Sequence, residues 1–180
     1  IGGESRVDYL QSTNMGKHQR MNHGLFAEMK LEPIPKFSTQ LGSYINYNST
    51  YGWSILPGLD MGYNVSSSWR LRGSLNAGAR LPSFTDLYLN QAPANIGNAN
   101  LYPEHAWQYD IGVQYQGYLG KVDLNYFHRK IDNFIDWMRA DQQRPYQPQN
   151  LGNSEVSGIG IQYANTILSS QRFSLKQQVH

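Results

Sequence analysis

The sequence predicts an all-β chain, folded as an antiparallel up-and-down meander of about eight to ten strands. The first observation is that apolar and polar residues alternate over most of its 180 residues, which is the pattern of half-buried strands. The second is that no apolar run reaches the length of a membrane-spanning helix. The third is a composition rich in glycine and aromatic residues, with 17 Gly and 13 Tyr. Aromatic residues favour strands with amphipathic surfaces.

The first strands are indicated near Val7 and in the segment 24–32. Between them, residues 12–23 form a polar, glycine-containing stretch that predicts a long loop. In 24–32 the odd positions are apolar and the even positions are mostly charged. Pro33 and Pro35 are expected to end this strand, because neither can donate to a ladder and each restricts the residue before it.

Three further strands follow, at 38–48, 53–65 and 69–80. A turn at 48–52 joins the first two. The serines at 66–68 reverse the chain before the third, whose even face is strongly basic. Each strand again has an apolar row of odd positions and a polar row of even positions, so each is expected to separate two different environments.

A long polar loop at 81–104 precedes the region of clearest alternation. The apolar row of the next strand is Trp107, Tyr109, Ile111, Val113 and Tyr115. A turn at 117–120 leads to a strand that ends near Ile131, and a second long loop is predicted at 132–155. Within it, Phe134, Ile135 and Trp137 indicate either one further short strand or part of the loop. Another strand is indicated around 158–164, and a last one starts at Arg172.

The polar rows favour a membrane barrel over a soluble β-sandwich. They carry Asp60, Arg70, Arg72, Asp110 and Gln114. Burying such groups unpaired costs on the order of several kcal/mol each, and a water-filled lumen removes that penalty. Connection lengths also alternate, as in outer-membrane barrels, being tight at 33–37, 66–68, 117–120 and 168–171 and longer at 12–23, 81–104 and 132–155. A sandwich with its polar rows in solvent remains an alternative.

Several segments resemble one family in the same order and spacing. The run Gly78 to Tyr88 is similar to a strand end and an aromatic-acidic-leucine-tyrosine loop of TonB-dependent outer-membrane receptors. The run Asn98 to Glu104 resembles the asparagine-rich turn that follows in that family. Residues 150–152 and 156–158 resemble its next loop and strand start. The resemblance covers roughly residues 56–163.

This resemblance implies a fragment, residues 1–180, of one 22-stranded transmembrane β-barrel in the outer membrane of a Gram-negative bacterium. Such receptors import scarce nutrients, such as iron chelates or cobalamin. The implied partners are a small-molecule nutrient, the lipid bilayer and an inner-membrane energy-coupling protein acting through a plug. The plug, its coupling box and the terminal aromatic strand are expected to lie outside this chain. An arc of a barrel has two open edges, so edge-to-edge self-association is also expected.

The long loops supply the candidate nutrient contacts, because loops carry function on a rigid scaffold. The candidates are Arg80, Phe84, Asp86, Tyr88, Tyr102, Trp137 and Tyr146. The alternative role for such residues is to fix the loop, since turn residues bond to their own backbone. A structural role is expected for the remaining motif residues, namely Pro82, Leu87, Asn98, Leu101, Pro103, Glu104, Asn150, Gly152 and Gly158.

Enzymatic, metal, cofactor and nucleic-acid functions are not indicated. There is no cysteine, the five histidines lack the spacing of a zinc site, and the 15 basic and 13 acidic residues nearly cancel. No phosphate loop or nucleophile elbow is present. The alternative function is a soluble β-sandwich that binds carbohydrate through loop aromatics. The two hypotheses differ in whether the row from Trp107 to Tyr115 faces outward or packs against a second sheet.

Overall fold

The main feature of the computed structural model is a nine-stranded antiparallel sheet. The structure describes residues 1–118, 120–169 and 174–179. The elements are β1 Gly2–Ser12, β2 Gly16–Ile34, β3 Phe37–Asn48, β4 Gly52–Asn64, β5 Trp69–Arg80, α1 Phe84–Tyr88, β6 Asn90–Gln91, β7 Asn95–Ile96, β8 Glu104–Gly117, β9 Gly120–Asp132, β10 Ile135–Met138, β11 Gln147–Asn150, β12 Ser154–Ser169 and β13 Ser174–Val179. The sheet order is β1-β2-β3-β4-β5-β8-β9-β12-β13, which confirms the predicted meander. The predicted strand start at Arg172 lies outside the described residues.

The sheet has one apolar and one polar face. Ile111 on β8 lies between Gly73 on β5 and Tyr126 on β9, and it is 64% exposed. The other described sheets are two-stranded ribbons within the long loops, formed by β6-β7 and β10-β11. Within the described residues, therefore, no second sheet covers the apolar face, and the sandwich alternative is not supported.

Aromatic rings mark both ends of the apolar face. Tyr47 and Trp53 contact each other at one end, with ring centroids 5.1 Å apart, and Trp69 and Tyr115 do so at the other, at 4.9 Å. On β4, Trp53 and Tyr63 are ten positions apart (63 − 53), or about 33 Å along a strand at ~3.3 Å per residue. At the strand tilt of about 40° usual in membrane barrels, this spans about 25 Å, the height of their apolar band.

The polar face is connected by hydrogen bonds and ion pairs between strands. Arg72 on β5 forms an ion pair with the buried Asp123 on β9, and the Gln114 side chain donates to the same carboxylate at 3.1 Å. Arg70 donates to the Ser38 hydroxyl at 3.3 Å. These partners offset the desolvation of the charged groups, as expected for a lumen wall.

Connections of different length lie at the two ends of the sheet. The loop end carries 13–15, 49–51 and the long connections 81–103 and 133–153, whereas the turn end carries 35–36, 65–68 and the paired ends of β8 and β9 at Gly117 and Gly120. At the loop end, the Asn48 side chain accepts from the backbone N–H groups of Thr50 and Tyr51 at 2.9 and 3.1 Å. Gly52 follows with a φ of +76°, which glycine adopts without steric strain.

The predicted long loop at 12–23 is wrong. β1 and β2 pair continuously up to Ser12 and Gly16, so only residues 13–15 connect them. This hairpin extends past the β3–β4 turn, because Asn22 is already opposite Asn48. On β2 the apolar row stops at Met21, because the next outward positions are Gln19 and Lys17. The opposite face there carries Arg20 and His18, so the tip of β2 is polar on both faces.

Two prolines limit pairing without ending their strands. β2 continues through Pro33, with a shift in the β2–β3 register after Leu31, and ends at Ile34, immediately before Pro35, which agrees with the expected end at Pro33 and Pro35. Pro57 lies where the β4–β5 ladder ends, at the pair Gly58 and Asn76. Proline has no N–H to donate and is therefore found at bulges and ladder ends. Among the described residues, no helix combines the length and the hydropathy needed to cross a bilayer.

Candidate functional site

The two long connections, 81–103 and 133–153, pack together at the loop end into one unit, called the cap below. The Ile96 N–H donates to the Tyr146 carbonyl, and the Tyr146 N–H donates to the Ala94 carbonyl, both at 2.9 Å. The Asn98 side chain donates to the Pro148 carbonyl at 3.1 Å. Because backbone bonds join the two connections directly, they form a single folded body.

The cap has a hydrophobic core of its own. Leu87, Leu101 and Ile135 are 5%, 3% and 6% exposed and form the buried apolar cluster of the described residues, with Tyr88 packed against it. Burying a side chain of this size stabilises by roughly 1.5–3 kcal/mol. The three residues come from α1, from the segment before β8 and from β10, so this core joins the two connections.

The short helix α1 is fixed by its N-terminal residues. The Ser83 hydroxyl accepts from the Asp86 N–H at 3.0 Å, while the Asp86 carboxylate accepts from the Ser83 N–H at 2.9 Å. This reciprocal capping box satisfies donors that a helix start leaves open. The helix ends at Tyr88, and the N–H of the capping residue Leu89 donates to the Thr85 carbonyl at 3.2 Å.

Four side chains, Arg80, Asp86, Glu104 and Trp137, form a polar hub beneath the cap. Arg80 donates to the Glu104 carboxylate at 2.7 Å and lies 3.5 Å from an Asp86 oxygen. Glu104 also accepts from the Ile135 N–H at 2.8 Å. The Trp137 indole donates to Asp86 at 3.2 Å. The hub therefore links both connections to the ends of β5 and β8.

A second set of contacts seats the cap on the β1–β2 hairpin. Arg20 donates to the Pro82 carbonyl at 2.8 Å, and its guanidinium carbon lies 4.9 Å from the centre of the Phe84 ring. The rings of His18 and Tyr88 stack 3.5 Å apart with an angle of 2° between their planes. Stacked rings and an arginine over an aromatic face are both favourable.

Tyr51, in the 49–51 turn, belongs to the same neighbourhood. Burial raises the pKa of its phenol, and the charge of Arg20 opposes that rise, whereas Tyr88 and Asp86 add to it. The phenol therefore remains neutral over the physiological pH range. Tyr51 therefore interacts electrostatically with Arg20, Tyr88 and Asp86, which belong to the contacts between the cap and the hairpin and to the hub.

The solvent-facing part of the cap carries two candidate tyrosines. Tyr102 is 69% exposed, and its N–H and carbonyl both bond to the Asn150 side chain, at 2.9 and 3.1 Å. Tyr146 is 41% exposed, with the Arg139 guanidinium carbon 5.0 Å from its ring centre. A tyrosine face with a neighbouring guanidinium provides stacking, hydrogen bonding and positive charge for a ligand.

The candidate residues from sequence thus separate into three groups. Arg80, Asp86 and Trp137 meet in the hub; Phe84 and Tyr88 face the β1–β2 hairpin; Tyr102 and Tyr146 are exposed. Among the motif residues, four are buried in or beneath the cap: Pro82, Leu87, Leu101 and Glu104. Asn98 and Asn150 form hydrogen bonds across the cap, and Pro103 immediately precedes β8. Gly152 has a φ of +87°, and Gly158 lies against the Phe127 ring.

Sequence reasoning missed four residues of this region: His18, Arg20, Gly97 and Arg139. A Cβ atom at Gly97 would be 2.7–2.8 Å from the backbone of Leu87 and Tyr88, so only glycine fits beside α1. His18 and Arg20 lie in a run of polar residues with Lys17 and Gln19, so no alternation of apolar and polar positions marks this part of the hairpin. Nothing in the sequence pattern marks Gly97 or Arg139. Within the described residues, no group of three or more His, Cys, Asp or Glu side chains is arranged to hold a metal ion.

Comparison with known proteins gives a family match over nearly the whole chain. The model of the family described as TonB dependent receptor-like, beta-barrel, matches residues 2–176. The vitamin B12 transporter BtuB of Photobacterium profundum is 29% identical over 117 residues, which is 63% of this chain and 19% of that protein. Transferrin-binding protein A of Neisseria meningitidis is 22% identical over 172 residues, 89% of this chain and 18% of that protein.

Solved structures share the fold. The siderophore receptor PirA of Pseudomonas aeruginosa has a TM-score of 0.83 at 17% identity, covering 92% of this chain and 33% of that one. The ferric enterobactin receptor PfeA of Pseudomonas aeruginosa, solved with enterobactin, has a TM-score of 0.73 at 18% identity, covering 86% and 26%. The chain therefore spans about a fifth of the curated relatives above and a quarter to a third of these two structures.

Proposed function

This chain belongs to the family of TonB-dependent receptor-like β-barrels, and we propose that it forms part of the wall and outer mouth of a nutrient receptor in the outer membrane of a Gram-negative bacterium. Residues 1–180 belong, in this proposal, to one transmembrane barrel domain. The whole receptor takes up a scarce nutrient such as an iron chelate or cobalamin. Binding and transport, without catalytic chemistry, make up the proposed role.

The observation that carries the proposal is the two-faced sheet with the cap at one end. The apolar face has a band of about 25 Å between its aromatic rings, which matches the apolar height of membrane barrels. The opposite face pairs its charges through contacts such as Arg72 with Asp123. Backbone groups of a spanning strand need partners in hydrocarbon, and the ladders between neighbouring strands provide them, except at the outer edges of β1 and β13 and beyond the pair Gly58 and Asn76.

Single-cysteine labelling in the intact receptor tests the orientation of the wall. This segment has no native cysteine. Ile111→Cys is expected to react poorly with a water-soluble maleimide and to place a fluorophore within reach of a lipid-borne quencher. Asp110→Cys, the neighbouring position on the polar face, is expected to give the reverse pattern. Equal quenching at both positions would overturn the membrane orientation.

The cap is the proposed nutrient-recognition surface, with Tyr102 and Tyr146 as direct contacts. Both are exposed, and the loop end holds both long connections. Arg139 adds a cation beside Tyr146. The other candidate contacts, Phe84 and Tyr88, face the β1–β2 hairpin and would reach nutrient only if the cap moved.

Uptake assays on the full-length receptor test the nutrient. The names of the relatives point to cobalamin and to an iron siderophore. In a host without its own receptors for either compound, the full-length protein is expected to support accumulation of cyanocobalamin or ferric enterobactin. Removing the host's TonB energy-coupling protein is expected to abolish uptake. Binding without energy dependence would refute the coupled-transport part, and no uptake of either probe would refute the ligand assignment.

A further inference from the structure

We infer that Arg80 is a positioning residue, which fixes both long connections as one rigid body and does not contact the nutrient. The inference deepens the proposed recognition role of the cap and depends on it for its meaning. In this inference, Tyr102 and Tyr146 recognise the nutrient. Arg80, Asp86 and Glu104 instead fix the position of these two tyrosines relative to each other.

The location of Arg80 gives it access to both connections. It is the last residue of β5, and its guanidinium reaches Asp86 on α1 and Glu104 at the start of β8. The same group lies 3.5 Å from the carbonyl oxygen of Ile135 on β10. One side chain therefore touches the first connection, the second connection and the wall strand that lies between them.

The charges of the hub are already used internally. Asp86 and Glu104 are buried, and a buried carboxylate requires a cation or several donors. Arg80 supplies its single positive charge to both, and Arg129 is the next cation that acts on Glu104. A guanidinium facing two carboxylates has no positive charge left over for an anionic ligand.

Both exposed tyrosines are only a few residues from the hub. Tyr102 is two residues before Glu104. Trp137, which donates to Asp86, is paired with Pro148 in the β10–β11 ladder, two residues after Tyr146. A displacement of the hub therefore shifts both tyrosines together, whereas loss of either tyrosine leaves the hub bonds in place.

Amide hydrogen exchange in the intact receptor tests the coupling without any ligand. Arg80→Gln is expected to raise exchange about tenfold or more across both 81–103 and 133–153, because local opening follows the loss of local bonds. Arg144→Gln removes an exposed arginine that is paired with Asp141 in the same cap, and is expected to affect only residues near it. Faster exchange confined to one connection, or none at all, would overturn the inference. If Arg80→Gln does not fold, Arg80→Lys replaces it in the test. This variant keeps the charge but loses part of the hydrogen bonding, so its exchange rates are expected to lie between those of the wild type and a variant without the charge.

A mutant cycle tests whether Arg80 acts through the two tyrosines. Affinities for cyanocobalamin and ferric enterobactin are measured for Arg80→Gln, for a variant carrying both Tyr102→Ala and Tyr146→Ala, and for the combination of all three changes. A positioning role predicts that Arg80→Gln weakens binding about tenfold alone but less than threefold when both tyrosines are already alanine. Equal losses in both backgrounds would identify a direct contact. If the wild-type receptor binds neither probe, the ligand assignment fails, while the exchange experiment still decides the coupling.

Discussion

Removing the Glu104 carboxylate is expected to loosen the cap while leaving the barrel wall intact. Glu104→Ala deletes the bond from Arg80 at 2.7 Å and the bond from the Ile135 N–H at 2.8 Å. The wall strands keep their ladders, because these depend on backbone groups. The cap loses a tie between the start of β8 and the start of β10.

The expected magnitude follows from these two bonds. Hydrogen bonds to charged groups contribute about 1.5–3 kcal/mol each, and an unsatisfied buried N–H costs about 1–3 kcal/mol. The Arg80 side chain is about half exposed, so its share is reduced to about 1 kcal/mol. The sum is about 3 kcal/mol, or roughly a 100-fold larger opening constant for the cap.

Amide exchange at Tyr146 measures this opening constant, because its N–H donates to the Ala94 carbonyl across the cap and keeps that acceptor when Glu104 is removed. Glu155→Ala is the matched control, because Glu155 is an exposed glutamate on β12. Exchange at Tyr146 should rise about 100-fold in Glu104→Ala and stay unchanged in the control, while Gly112 in the middle of β8 keeps its protection in both. A rise below about threefold at Tyr146 would refute the assigned role of this carboxylate.

Three other outcomes are expected. Gly97→Ala should lower cap stability by about 1–3 kcal/mol in exchange measurements, because its methyl group meets the α1 backbone, whereas Gly78→Ala, with nothing within 4 Å, should not. Ser83→Ala should cost about 1 kcal/mol through the lost helix cap, with Thr85→Ala at an interior position as the comparison. Residues 1–180 expressed alone should associate through the open edges β1 and β13, and a monodisperse monomer in plain buffer would contradict this.

Most strands of the sheet could be predicted from the sequence, because one face of each contacts an apolar environment and the other face contacts water. Alternation around Ile111 predicted both its strand and its exposed face. The same rule failed at residues 14–23, since the hairpin there is polar on both sides and the pattern reads as a loop. Pattern alone therefore works only where one face meets an apolar environment.

The cap could be predicted only as two loops. Its core brings together Leu87, Leu101 and Ile135, which are far apart in sequence and follow no period. The candidates Arg80, Asp86 and Trp137 were selected by residue type, but their common meeting point depends on tertiary contacts. Gly97 is required because a Cβ atom at this position would lie 2.7 Å from the α1 backbone, and no local motif signals this.

The separate core of the cap implies that this chain depends on two different media for its folding. The side chains of Leu87, Leu101 and Ile135 can leave water by packing on one another. The apolar row around Ile111 is not buried by any part of the chain that the structure describes, so it leaves water only when it contacts lipid. Tyr102 and Tyr146 belong to the cap, which has its own core. Substitutions at these two positions can therefore arise in evolution without disturbing the insertion of the wall into the membrane.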